Sequence, residues 1–272
     1  MDGKLIPPLK YTGERMVPEA ADAVTLWNHI YRYKFAAQFA AGRDILDIAC
    51  GEGYGTAALR AVGARSVIGV DIDPATCSHA RAKYGVDARE ADAARLPLAD
   101  NSFDLVVSFE TIEHVSEPRR LVEECYRVLR PGCQLIMSTP NKDVYNIDDK
   151  KINPFHCSEM TEREFTILLR ARFTHLKMYS QHLVSASPWS ARAMALDRSP
   201  WLKICGFGRF RRSSQVYQAT ATGNARMDPI GTILRRHNWL DRLLNPYFVR
   251  HRSEHSGEVA TYFVCVARST KG

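Results

Sequence analysis

Asp47-Ile-Ala-Cys-Gly51-Glu-Gly53-Tyr-Gly55 decides the reading of this chain. The segment follows a short apolar run, Asp44-Ile-Leu-Asp-Ile, and precedes a helical stretch from about Gly55 to Val62, so it lies where a strand hands over to a helix. Glycines at such a junction let the backbone turn tightly and come close to a ligand, and an acidic residue at the strand end can receive a cationic group. The G-x-G-x-G spacing differs from the G-x-G-x-x-G of dinucleotide-binding folds.

Downstream, short β-branched runs alternate with helical stretches. Ser-Val-Ile-Gly-Val-Asp-Ile (66–72) is followed by a helix over Ala75 to Lys83 and a charged turn; Phe-Asp-Leu-Val-Val-Ser-Phe-Glu (103–110) by a helix over Arg119 to Leu129; and Gln134 to Pro140 by a helix over Glu162 to Arg172 and a strand from Phe173 to about Gln181. Units of this length predict an α/β fold, a mostly parallel sheet with helices on both faces. Upstream, apolar residues at 24, 27, 30, 31, 35 and 39 predict an amphipathic helix over Val24 to Ala40. The last strand-like run is Val259 to Arg268. About 75 residues before it, from His182 to Gly257, exceed a usual connection and predict an insertion or lid. The expected organisation is an N-terminal arm and helix over the pocket (1–43), a core (44–181), the insertion (182–257), and a last strand with its tail (258–272).

Two further carboxylates strengthen the glycine turn. Asp71 ends the second strand, where it can accept from both hydroxyls of a ribose; Asp73-Pro74 after it reads as a helix N-cap with a first-turn proline. Asp92 precedes Ala93 and the turn Leu96-Pro97, in place to meet an adenine amino group. Any one of these aspartates reads as a solvated turn or cap, but three at successive strand ends describe a nucleoside site.

From Ile45 to Asn141 these residues, with Phe-Asp-Leu-Val-Val-Ser-Phe-Glu-Thr-Ile-Glu-His-Val (103–115) and Val-Leu-Arg-Pro-Gly-Cys (128–133), resemble the class I S-adenosylmethionine (SAM)-dependent methyltransferase superfamily, in its quinone-type and small-molecule group. The resemblance implies a Rossmann-like seven-stranded sheet with SAM as cofactor. It implies that Asp47, Gly51 and Gly53 surround the methionine part, Asp71 and Ile72 the ribose and adenine edge, and Asp92 and Ala93 the adenine, with Phe109 and Glu110 facing the sulfonium. Ala49 stands where many relatives have glycine, and Cys133 replaces the second glycine of the common R-P-G-G turn. Neither change removes a side-chain contact, so both are expected to be tolerated. Tyr11-Thr-Gly-Glu-Arg15-Met-Val-Pro18 and Asn153-Pro-Phe-His156-Cys-Ser-Glu159 are similar to segments of glycan-pathway methyltransferases. There Arg15 either pairs with the cofactor carboxylate or pins a surface arm, and Tyr11 helps close the pocket.

Methyl transfer to a hydroxyl needs a general base, whereas a neutral amine attacks without one. His114, just past the fourth strand, lies at the carboxyl end of the sheet, where open α/β folds bind ligands; it is a candidate base or a loop-packing residue. His156 is the second candidate, or else part of a helix start capped by Ser158 or Thr161. Asp148 and Asp149 could join His156 around a divalent ion, but adjacent acids are usually solvated, and no metal is assigned.

The net charge of +7 and a pI near 9.1 favour an anionic acceptor, a small molecule or a glycan. Residues 191–252 hold 12 arginines or lysines against 3 aspartates, more than the whole excess. Within them, Trp201 to Arg212 interleaves aromatic and basic side chains that could touch an anionic membrane peripherally. No RNA-binding motif is present, so a nucleic-acid partner is not expected. Seven cysteines without a C-x-x-C pair suggest reduced thiols, and the first ten residues lack a signal-peptide core, so a cytoplasmic location is expected. The expected reaction is O-methylation of a sugar hydroxyl on a nucleotide sugar or glycan. Alternatives are N- or O-methylation of another secondary metabolite, an RNA methyltransferase, or an inactive SAM-binding scaffold.

Overall fold

A computed structural model describes residues 9, 15–18, 20–21, 23–145, 153–181, 250–251 and 261–271. Tyr11, Asp148, Asp149 and nearly all of the 182–257 insertion, Trp201 to Arg212 included, lie outside the described residues.

Eight strands form one sheet in the order β3-β2-β1-β4-β5-β8-β6-β7. They are β1 (Asp44–Ile48), β2 (Ser66–Asp71), β3 (Asp87–Glu90), β4 (Phe103–Ser108), β5 (Leu129–Pro140), β6 (Phe173–Gln181), β7 (Arg250–His251) and β8 (Tyr262–Ser269). Strands β3, β2, β1, β4 and β5 pair in parallel, while β8 inserts antiparallel between β5 and β6. Setting aside the two-residue β7, this is the expected seven-stranded, mostly parallel Rossmann-like sheet.

Helices α1 (Ala23–Ala37), α2 (Tyr54–Ala61), α3 (Pro74–Tyr84), α4 (Pro118–Val128), α5 (Lys142–Tyr145) and α6 (Glu162–Arg170) flank the sheet. Strand alternation sorts the core. Leu46, Ile48 and Val106 pack with Leu121, Cys125 and Phe165 of α4 and α6, whereas Ile45, Leu105 and Val107 pack with Ile30, Tyr33, Ala58 and Leu59 of α1 and α2. Asp47, two residues after Ile45, therefore points toward α1 and α2. Helix α1 is enclosed as well as amphipathic, for Arg32 and Lys34 are buried along with Tyr31, Tyr33 and Phe35.

The charged turn expected after α3 is in fact β3. Its sequence Asp-Ala-Arg-Glu buries only Ala88, so no apolar pattern marks it, and parallel pairing from Ile68↔Asp87 to Asp71↔Glu90 makes it a strand. The final strand, Tyr262–Ser269, falls on the last strand-like run; Val259, where that run was expected to begin, lies outside the described residues. No helix among the described residues is long and apolar enough to cross a membrane.

Candidate active site

The parallel register aligns the carboxyl ends of the central strands. Ile48 of β1 faces Val70 of β2 and Ser108 of β4, so the segments after each strand meet along one edge. In such sheets this edge, where neighbouring crossovers diverge, is the binding crevice.

The glycine turn forms its floor. Gly51 and Gly53 have φ of 54° and 92°, and Gly53 is the N-cap residue of α2. Positive φ suits glycine, and the unpaired N–H groups of the helix start suit an anionic ligand group. Ala49 has φ 55° as well, which shows why a glycine belongs there: the alanine β-carbon is carried in a conformation that costs about 1 kcal/mol. At Cys133 no such need exists, since the left-handed turn residue is Gly132 at φ 69°.

Beneath the turn, the Asp47 carboxylate is fully buried. It accepts from Thr56 Oγ1 at 2.7 Å and from Tyr33 Oη at 3.0 and 3.3 Å. Burial pushes its pKa from the usual 3.8 to about 7, with the two hydroxyl hydrogen bonds opposing. Tyr33 also meets the edges of the Tyr54 and Phe109 rings, at centroid distances of 5.5 and 5.1 Å.

Asp71 ties two loops together, accepting from Gly51 N and Asp73 N, each at 3.0 Å. Burial raises its pKa and those backbone bonds lower it. Beside it Ile72 is 69% exposed, an apolar side chain at the rim of the crevice. Asp73 caps α3 through Ala75 N. Its pKa falls to about 2 because Thr76 and then Arg15 donate to it. Arg15 Nη1 lies 2.7 Å from Asp73 and 2.6 Å from Thr76 Oγ1, which anchors the N-terminal arm at the start of α3. Asp92 is exposed and accepts from Ala94 N at 2.8 Å, with Ala93 half-buried next to it.

Past β4 the backbone is strained at Glu110, φ 50°. Ser138 holds it twice, accepting from Glu110 N at 3.1 Å and donating to its Oε1 at 2.6 Å, and Arg32 Nη2 stands 3.6 Å from its Oε2. Arg32 is placed by Gln181 Oε1 at 2.9 Å and by the Tyr262 ring, 4.4 Å from its centroid. The 3-10 turn Ile112–His114 follows. It brings His114 against His156, ring centroids 4.8 Å apart. Thr161, not Ser158, caps α6, in a reciprocal pair with Glu164.

Partner residues escaped the sequence reading. Tyr33, Thr56 and Arg32 sit on helices, where spacing marks a face but not which strand end it meets. Glu113 lies within the 103–115 stretch with nothing in the sequence to single it out, yet it is fully buried, and burial followed by the Glu110 charge pushes its pKa well up.

Residues 46–137 match the methyltransferase domain family. A probable SAM-dependent methyltransferase of Mycolicibacterium smegmatis is 46% identical over 172 residues, 62% of this chain and 66% of that protein. One of Mycobacterium tuberculosis (strain H37Rv) is 44% identical over 165 residues, 59% of this chain and 60% of that one. The chain belongs to the SAM-dependent methyltransferase superfamily. Its match spans less than two thirds of the length of these curated relatives. The methyltransferase fold is seen again in a SAM-dependent enzyme of Thermotoga maritima titled a possible histamine N-methyltransferase, with TM-score 0.55, 19% identity, and 90% of this chain and 92% of that one covered.

SAM is the cofactor of this superfamily, and the crevice fits it. The positive-φ glycines admit a close backbone approach, Asp71 and exposed Ile72 suit a ribose and an adenine face, and the α2 start suits a carboxylate.

Proposed function

We propose that this methyltransferase acts on a hydroxyl of a sugar, carried on a nucleotide sugar or a growing glycan. The observation that carries the choice of oxygen is the pair of imidazoles, His114 and His156, at the carboxyl end of β4 next to the strained Glu110. A hydroxyl acceptor must lose its proton during transfer, and two adjacent imidazoles place ring nitrogens there that can accept it. A neutral amine would need neither.

Asp47, Gly51 and Gly53 hold the methionine end, Asp71 and Ile72 the ribose and adenine edge, and Asp92 and Ala93 the adenine. Phe109 and Glu110 border the reacting end. Bound in this way, SAM supplies a methyl group already activated by its sulfonium. The protein's share is alignment and proton removal: the turn and Asp71 fix the donor, while His156 or His114 takes the hydroxyl proton on a ring nitrogen. An anionic acceptor is supported by the +7 net charge and by the excess of basic residues over 191–252. The 11–18 segment, similar to those of glycan-pathway methyltransferases, supports the sugar.

The test is release of S-adenosylhomocysteine with separate pools of nucleotide sugars, glycan fragments and amines, followed by locating the new methyl group by NMR. Sugar-dependent turnover with an O-methyl product is expected. Turnover confined to amines would overturn the reading.

A further inference from the structure

The loop over residues 153–160 doubles back onto the end of β4 and is fastened there. Cys157 N and Ser158 N both donate to the Glu113 carbonyl, at 2.7 and 3.0 Å, and Ser158 Oγ donates to the Ile112 carbonyl at 2.9 Å. These bonds bring His156 to the 3-10 turn. One carboxylate oxygen of Glu113 and one ring nitrogen from each of His114 and His156 then lie within 4.8 Å of one another.

Two observations point to a ligand between them. Glu113 is fully buried, and its Oε1 has no hydrogen-bond donor among the described residues; Oε2 reaches only Thr139 Oγ1, at 3.5 Å. A carboxylate oxygen enclosed without a donor is unfavourable, and a cation satisfies it.

Both histidines are also oriented from behind. His114 Nδ1 is 3.0 Å from the Phe155 carbonyl, which can only accept, so Nδ1 carries the proton and the neutral ring has its lone pair on Nε2. His156 Nδ1 is 2.6 Å from Glu159 Oε1, and the same tautomer follows. An imidazole whose Nδ1–H is held by a carboxylate or carbonyl is the usual arrangement of a metal-bound histidine, because the outer partner fixes the ring and raises its basicity.

We propose that Glu113, His114 and His156 bind a divalent transition-metal ion at the acceptor end of the crevice. Two imidazole nitrogens and one carboxylate suit the manganese, cobalt and zinc class better than magnesium alone, and the remaining positions are left to solvent or to an acceptor oxygen. With the ion bound, both Nε2 lone pairs would be on the metal and neither ring would be the base; the cation would instead lower the pKa of an acceptor oxygen bound to it, whose proton passes to solvent, and this use of the ion depends on the hydroxyl-acceptor reading above. Its binding does not. This site shares only His156 with the Asp148 and Asp149 grouping weighed from the sequence.

The experiment uses the full chain, stripped with a chelator and dialysed, and titrates Mn2+ alone, following the free-ion EPR signal with Zn2+ as competitor. Wild type is expected to bind about one equivalent. Glu113→Gln, His114→Gln and His156→Gln should each weaken binding at least about tenfold, while His175→Gln, away from the cluster, leaves it unchanged. Circular dichroism of the metal-free variants confirms that they are folded. The proposal fails if wild type binds neither ion, or if folded Glu113→Gln and His156→Gln bind as wild type does; the cluster is then a histidine–carboxylate hydrogen-bond contact only. If the ion binds but no hydroxyl acceptor is methylated, the functional reading falls and the metal site stands.

Discussion

Asp47→Asn separates a charge from a shape at the bottom of the crevice. The wild-type carboxyl has its pKa moved from the usual 3.8 to about 7, chiefly by burial. Because the folded pKa lies above the unfolded one, the folded state holds the proton more tightly. The stability this contributes is complete below about pH 4 and is lost as pH rises through 7. At about 1.4 kcal/mol for each pH unit of that displacement, ionising Asp47 in the cofactor-free protein costs about 4 kcal/mol in total, of which roughly 2.5 falls between pH 5 and pH 8.5. Asparagine keeps the size and cannot ionise, and the Tyr33 and Thr56 hydroxyls can each turn to accept from its amide. Thermal unfolding of both proteins at several pH values is the assay. The melting temperature of Asp47→Asn minus that of wild type should rise by about 5–10 °C between pH 5 and pH 8.5. Parallel curves, or a difference that falls with pH, would refute the claim that this carboxylate is buried at the expense of its charge.

Gly55→Ala should destabilise the protein by about 1–3 kcal/mol although alanine is the better helix former, because a methyl group built there runs into the Tyr33 ring that caps Asp47; an unchanged or raised urea midpoint would count against that packing. Ala49→Gly removes the left-handed strain at φ 55° and is expected to stabilise by about 0.5–1 kcal/mol, read as a higher melting temperature. Replacing Ile72, 69% exposed, with Asp should leave the melting temperature of the cofactor-free protein within about 1 °C. It should weaken SAM at least about fivefold in a titration, since the apolar shelf beside Asp71 is lost; unaltered affinity would remove Ile72 from the adenine site.

The sheet was legible because its central strands are buried on both faces and so read as apolar runs, and the crevice because glycines and aspartates recur at strand ends for reasons of backbone geometry and charge. Strand β3 was not legible: Asp-Ala-Arg-Glu buries one side chain, and its strand character comes from β2. Nor could spacing give the partners of the site. Asp47 meets Tyr33 and Thr56 only because strand alternation turns it toward α1 and α2, and Arg32 reads as a solvated helix position until Gln181, Glu110 and Tyr262 close around it. Arg15 has its partners in Asp73 and Thr76, at the start of α3, where the sequence offered a cofactor carboxylate or a surface ion pair. The tolerance expected of Ala49 overlooked its backbone, since a φ preference is invisible in a list of side-chain contacts.

The central claim is that Asp71, the glycine turn and their neighbours form a SAM site. Isothermal titration of SAM and S-adenosylhomocysteine into wild type and Asp71→Ala tests it most directly. The account predicts micromolar binding by wild type, weakened at least about thirtyfold in the variant, which corresponds to about 2 kcal/mol for the loss of a carboxylate acceptor. Absence of binding by folded wild type, or equal affinity in folded Asp71→Ala, would contradict it.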